Sequence, residues 1–351
     1  MARLVVIAPG RGTYNRKELG YLSRFADHPR YAERRELLAR ADAVRAAANQ
    51  PTISELDGAE AYSPRLHLPG EHASSLIFTC SAADFHMISP EHEICAVLGN
   101  SMGWYTTLYT GGALSFEETL RVVETMAQYQ RNNIQGGQVI YPLVDANWQR
   151  DEAAVAAVDQ LVAKLAADEE TWCGPSIHLG GFVVLAGTSR GVAGLLEGLP
   201  KLRLGVTDYP FQLPRHAAFH THLMGEASNH GLYHLSDLRT AQPRHPMIDG
   251  RGHIWRPYQT DPRTLHDYTL VHQVVAPYDF TTSVRVALRE YNPDHVVLLG
   301  PGETLGGAIS QIMVAEGWRG IQVKKDFKNA QKGERPPLIA MNRPDQAAWV
   351  I

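Results

Sequence analysis

The chain has 351 residues, with 33 lysines and arginines against 37 aspartates and glutamates and a formal net charge of −4. That length can bury a sizeable core, and the balanced charge offers no basic face for nucleic acid or for an anionic membrane surface. No apolar run approaches the ~20 residues needed to span a bilayer. The three cysteines, Cys80, Cys95 and Cys173, are scattered without metal-type spacing and read as buried thiols in a reducing cytoplasm.

Leu4 to Ala8 is a continuous apolar run, the pattern of a strand covered on both faces. It is too short for the apolar stretch of an export signal, so a cytoplasmic location is expected. It runs into Pro9-Gly10-Arg11-Gly12, a loop whose backbone N–H groups can approach a ligand at the sheet edge. Arg11 there either presents its charge to a ligand or points to solvent. Residues 15–50 alternate charge signs at helical spacing and read as a solvated helical region. Residues 51–72 read as loop and short helix, and Ala73 to Ile88 as an apolar helix.

Ile94 to Leu98 is a strand that delivers Gly99-Asn100-Ser101-Met102-Gly103 and then a helix. Glycines on both sides of a serine permit a sharp strand-to-helix turn that exposes the Oγ. The unpaired N–H groups opening the next helix point at the same place, which is what acyl transfer through a nucleophile requires. Gly111-Gly112 stops that helix. Ser115 and Glu118 are spaced as a capping box for a helix over Phe116 to Asn132.

Gln138 to Val144 changes to strand character, Asp151 to Ala167 to helix, and Phe182 to Gly187 to strand again. A helix near 191–199 and a strand near 202–208 complete a βαβαβ-like block. Residues 134–213 thus read as a compact inserted subdomain, with 1–133 and 214–351 as the main domain. Residues 225–270 read mostly as loop, Val274 to Tyr291 as a turn at Ala276-Pro277-Tyr278-Asp279 and then a helix, and His295 to Leu299 as the final buried strand. Strands alternating with helices predict an α/β core with a largely parallel sheet.

Gly99 to Tyr105, followed by Gly111 to Glu118, resembles the malonyl-CoA:acyl-carrier-protein transacylase family, which includes the acyltransferase domains of polyketide and fatty-acid synthases. Ala8 to Gly12, Gly181 to Gly187, Ala218-Phe219-His220 and Leu299 to Leu305 match further family segments in the same order. The resemblance implies an α/β-hydrolase-like core carrying an inserted ferredoxin-like subdomain, with the site in the cleft between them. It implies Ser101 as nucleophile, His220 as general base, and the backbone N–H groups of Arg11 and Met102 as the oxyanion hole. The implied substrates are acyl-CoA and the phosphopantetheine arm of an acyl carrier protein, with no tightly bound cofactor, metal, nucleic acid or membrane.

The departures are equally specific. Met126 stands where the family's malonyl enzymes carry an arginine that pairs with the substrate carboxylate. An apolar residue there points to an uncharged acyl group, unless an offset of one turn lets Arg121 or Arg131 supply the charge. Asn100 replaces a usual histidine, and Trp104 a usual Glu or Gln, so both are expected to shape the acyl pocket. Asp279 falls where a Gln or Asn usually lends its carbonyl to the histidine. An aspartate there would complete a Ser101–His220–Asp279 triad and favour water, or else cap a helix. His216, His222, His230 and His234 crowd around the histidine segment but lack the spacing of a metal site. Beside acyl transfer stand two rivals: a thioester hydrolase using the same Ser–His pair, and a non-catalytic carrier-binding homologue. Retention of Ser101 and His220 argues against the latter.

Overall fold

A computed structural model describes the chain from Met1 to Ile351, the side chains of Arg131 and Asn132 excepted. In chain order the strands are β1 (Arg3–Ala8), β2 (Glu93–Gly99), β3 (Gly137–Pro142), β4 (Cys173–Leu179), β5 (Phe182–Gly187), β6 (Leu202–Leu204) and β7 (Thr207–Tyr209). They continue with β8 (Phe211–Gln212), β9 (Met247–Ile248), β10 (Ile254–Trp255), β11 (Tyr278–Asp279), β12 (His295–Leu298) and β13 (Leu338–Ala340). The main sheet runs β10-β9-β2-β1-β12-β13, parallel throughout except for the β9–β10 edge pair. β1 sits in its middle, and Leu4, Val5, Val6, Ile7 and Ala8 are all buried. Burying side chains such as Leu4 and Ile7 contributes ~1.5–3 kcal/mol each, which is why an unbroken apolar run suits a central strand.

The second sheet runs β11-β4-β5-β3-β8, with β3 antiparallel to β5 and β8, and β4 antiparallel to β5. Helix Glu152–Leu165 joins β3 to β4, and helix Ser189–Gly198 follows β5. This βαββαβ chain with its strand order is the ferredoxin-like arrangement, and it corrects the simpler βαβαβ expectation. β4 escapes detection because Gly174 and Pro175 break its pattern. The register shifts between Pro175 and Ile177, where an irregularity accommodates a residue without an N–H. The expected strand at 202–208 is instead the β6–β7 hairpin, turning at Gly205 with φ +64°. A short edge strand of three residues, β13, lies beyond the strand expected to be last.

Residues 225–270 also hold more helix than expected. Helix Gly225–His234 packs on helix Phe116–Asn132, and Asp261 caps a helix over Pro262–Asp267. Residues 15–50 contain one long helix, Tyr31–Ala47, and it is not simply solvated. Arg34 and Arg45 are buried on its inner side, where Arg34 pairs with Asp84 at 2.6 Å and Arg45 with Glu124 at 2.8 Å. Charge alternation along a sequence does not reveal such pairing, because the partners come from other helices. Asp84 also accepts from Tyr21 Oη at 2.5 Å and from the Gly300 N–H at 2.8 Å. This buried cluster fixes the turn after β12 beside the loop after β1.

Candidate active site

The loops at the C-terminal ends of β1 and β2 meet at one point. Ser101 takes φ +55° in the turn between β2 and helix Gly103–Thr110, a conformation costly for a residue with a side chain. The turn tolerates no side chain at its flanking glycines. A Cβ at Gly99 would stand 2.1 Å from the Gly103 carbonyl oxygen, and one at Gly103 would stand 2.4 Å from that of Ala8. The serine is therefore lifted out of the sheet edge by sterics within the turn and against the end of β1.

The hydroxyl of Ser101 donates to Nε2 of His220 at 2.7 Å. On the far side of the ring, Nδ1 donates to the backbone carbonyl of Gln273 at 2.5 Å. A carbonyl only accepts, so this bond places the ring proton on Nδ1 and leaves Nε2 free to take the serine proton. Gln273 is itself anchored, its side-chain amide donating to Tyr105 Oη at 2.8 Å and to the Thr269 carbonyl at 3.3 Å. The His220 ring lies 5.5 Å from that of buried Tyr278, whose hydroxyl donates to the Gly99 carbonyl at 2.6 Å. Burial lowers the pKa of His220 to about 4, the bond to Gln273 offsetting part of the effect. The imidazole is thus neutral at pH 7, as a base must be.

Asp279 does not orient the histidine. It caps helix Phe280–Tyr291, accepting from the N–H of Thr282 at 2.8 Å and its hydroxyl at 2.7 Å. The triad expectation is corrected accordingly: the orienting group is Gln273, six residues earlier, and it acts through its backbone. Trp104 is also displaced from its expected role. It is fully buried in the main core, with its Nε1 donating to Thr269 Oγ1 at 3.0 Å and its ring against Tyr268. Its place on the inner side of the helix puts its bulk beneath the site, outside the cavities described below.

Ser101 faces two cavities. The smaller, of about 60 Å³, is walled by Arg11, Tyr105, Met126, His220, Met224 and Gln273 among others. The larger, of about 510 Å³, lies between the loop after β1 and the second sheet, with Asn100, Ile140, Ile177, Phe182, Val184 and Phe219 on its walls. Met126 thus faces the small cavity and Asn100 the large one. Arg121 is drawn to the surface by Asp237 and the His234 carbonyl, the latter at 2.9 Å. The side chain of Arg131 lies outside the described residues. Of the crowded histidines, His216 Nδ1 donates to the Pro214 carbonyl at 2.9 Å, His222 packs edge-on against Trp172, and the His230 ring lies tilted against that of His234. Among the described residues no three metal-ligating side chains cluster.

Neither the Arg11 N–H nor the Met102 N–H makes a backbone hydrogen bond among the described residues, so both remain available beside Ser101. The Arg11 side chain was not legible from sequence in its direction. Its Nη1 donates to Gln130 Oε1 at 2.7 Å, and its guanidinium stands 5.6 Å from the centre of the Phe219 ring. Burial lowers its pKa to about 10, against an opposing pull from the Glu71 carboxylate.

No protein-family model matches the chain. Curated relatives are malonyl-CoA-acyl carrier protein transacylases at low identity. That of Salmonella typhimurium is 24% identical over 224 residues, 61% of this chain and 65% of the relative. Those of Staphylococcus aureus and Bacillus subtilis are 21% and 23% identical. The matched stretches span only 63–70% of these three relatives' lengths. Solved structures agree over nearly the whole chain. An acyl-carrier-protein S-malonyltransferase from Burkholderia pseudomallei aligns over 99% of this chain and 98% of its own, with TM-score 0.74 and 22% identity. A malonyl-transacylase in complex with its type II polyketide acyl-carrier protein aligns over 99% and 98%, with TM-score 0.71 and 17% identity. These likenesses establish the fold, an α/β core with a largely parallel sheet and a ferredoxin-like insertion, and they are what a divergent member of that family would give.

Proposed function

We propose that this chain is a divergent member of the malonyl-CoA:acyl-carrier-protein transacylase family, an acyltransferase that moves an acyl group from a CoA thioester to the phosphopantetheine thiol of an acyl carrier protein. The observation carrying the reading is the relay Ser101 Oγ, His220 Nε2 and Gln273 carbonyl, at 2.7 and 2.5 Å, opening onto two cavities. In the first half-reaction Ser101 Oγ attacks the thioester carbon while its proton passes to His220 Nε2. The carbonyl electron pair moves to oxygen, which the N–H groups of Arg11 and Met102 hold. Collapse expels the CoA thiolate, and His220 returns the proton to that sulfur. In the second half-reaction the carrier thiol gives its proton to Nε2 and attacks the acyl-serine ester. Ser101 leaves with the proton, and the acyl group rides on the carrier.

The large, mostly apolar cavity suits the pantetheine arms of donor and acceptor. We take 134–213 as the inserted subdomain supplying its second wall, with β11 of the returning chain added to its sheet. The carrier as partner follows the relative solved with its own carrier. The three cysteines are free and buried, as a reducing cytoplasm leaves them, and among the described residues no helix is long and apolar enough to cross a membrane. Acyl-serine chemistry calls for no resident cofactor. Hydrolysis is disfavoured because the aspartate that would have completed a water-activating triad caps a helix instead. The test is incubation with acyl-CoA and pantetheinylated carrier. Carrier-bound acyl is the expected product; free acid alone would overturn transfer.

A further inference from the structure

One side chain links the nucleophile turn to the base, and the mechanism above gives it no part. The Asn100 N–H turns toward β1 and donates to the Ala8 carbonyl at 3.1 Å. The Gly99–Asn100 peptide is trans, so the Gly99 carbonyl faces the other way, toward β9. The pairing of β9 with β2 stops at Leu98 and Ile248, one residue short of it. This carbonyl, two residues before the nucleophile, therefore lies past the end of the ladder on that side. Tyr278 Oη takes the place of a strand partner, donating to it at 2.6 Å, while the Tyr278 ring lies 5.5 Å from that of His220. Tyr278 is itself tightly held. It is 1% exposed, and its backbone pairs with Ile177 in the second sheet. Its ring packs on Gly250, where a Cβ would stand 2.6 Å from it.

We propose that Tyr278 is a positioning residue that keeps Ser101 and His220 in register: its hydroxyl fixes the peptide entering the serine turn, and its ring buttresses the imidazole. This rests on the acyltransferase reading above. Ser101 at φ +55° holds a conformation that only its surroundings maintain, so a lost anchor two residues away reaches its Oγ. Misplacing a reacting group by about 1 Å can cost about 10²-fold in rate. The ring has a second effect. Burial is the largest cause of the low pKa of His220, no charged side chain adds to it, and the Tyr278 ring is part of that cover.

The experiment measures single-turnover acylation by rapid quench and intact mass, with acetyl- and malonyl-CoA, across thioester concentration and pH. Rates are expressed per folded protein, judged by near-UV circular dichroism. Tyr278→Phe keeps the ring and loses the donor. It is expected to lower the maximal acylation rate at least about tenfold, with half-saturation changed by less than about twofold. Its acid limb should stay near pH 4, as in wild type. Tyr278→Leu also uncovers the imidazole and is expected to raise the midpoint of that limb by about one pH unit or more. A merely structural tyrosine would change the yield of folded protein and leave both readouts unmoved. Folded Tyr278→Phe acylating at the wild-type rate overturns the proposal, as does a loss confined to half-saturation. Should Tyr278→Leu not fold, the rate of Tyr278→Phe decides alone. No adduct on wild type from either thioester would instead sink the acyltransferase reading, so the two failures are distinct.

Discussion

His220 reaches Ser101 from 119 residues further along the chain and accepts its hydroxyl proton at 2.7 Å. The pair is held at both ends by backbone: a glycine-flanked turn under the serine, and the Gln273 carbonyl behind the imidazole. Such a site depends little on mobile side chains for its alignment, which suits a base that must alternate between accepting and donating one proton.

Ser101→Ala is expected to abolish the acyl-enzyme and to lower turnover by at least about 10⁴-fold, since the nucleophile and base act as one unit. Intact mass after incubation with acyl-CoA checks this. A stable acyl adduct on the variant would defeat the assignment of Ser101.

The acid limb of acylation is expected to lie well below the usual histidine range. His220 is lowered to about 4 by burial, so Nε2 stays unprotonated down to that pH. The rate constant for acyl-enzyme formation should therefore hold nearly level from pH 7.5 to 5.5 and fall as pH drops through about 4. Stability has the same sign. An unfolded histidine takes up its proton near pH 6.5 and the folded one only near 4, so stability is full above 6.5 and declines between those values. A midpoint of the rate profile near 6.5 would contradict the enclosed, neutral imidazole.

Asp279→Ala is expected to cost about 1 kcal/mol of stability through loss of a helix cap, with acyl transfer retained. Chemical denaturation and the transfer assay together check it. A large fall in turnover with unchanged histidine titration would return Asp279 to the relay.

Asp84→Ala is expected to destabilise the fold by about 3–5 kcal/mol, because it strands the buried Arg34 guanidinium and releases Tyr21 and the Gly300 N–H. Urea unfolding measures the loss. Replacing Arg34 and Asp84 together by Met and Leu should recover much of it, since a buried pair removed whole leaves no uncompensated charge.

Much of the main sheet and the site's local geometry could be read from residues in order. β1 is an unbroken apolar run because both its faces are covered. The turn at Ser101 is set in part by a collision between positions four apart, Gly99 and Gly103, and in part by the end of β1 against Gly103. Ser115 and Glu118 form their capping box within one helical turn, with the Glu118 N–H donating to Ser115 Oγ at 3.2 Å. β4 resisted such reading because Gly174 and Pro175 disturb its alternation, and β13 because three residues carry too little pattern.

What the sequence by itself determined are interactions among near neighbours: the strained serine turn, the helix caps and the apolar strands, all governed by local sterics and periodicity. Tertiary structure alone decided which carbonyl holds His220, that Asp279 caps a helix and that Trp104 lies in the core. It also decided that the Arg11 guanidinium donates to Gln130 Oε1 on a distant helix. Those outcomes depend on the direction of side chains and on partners brought from distant segments, and direction is a property of packing that spacing along a chain does not encode.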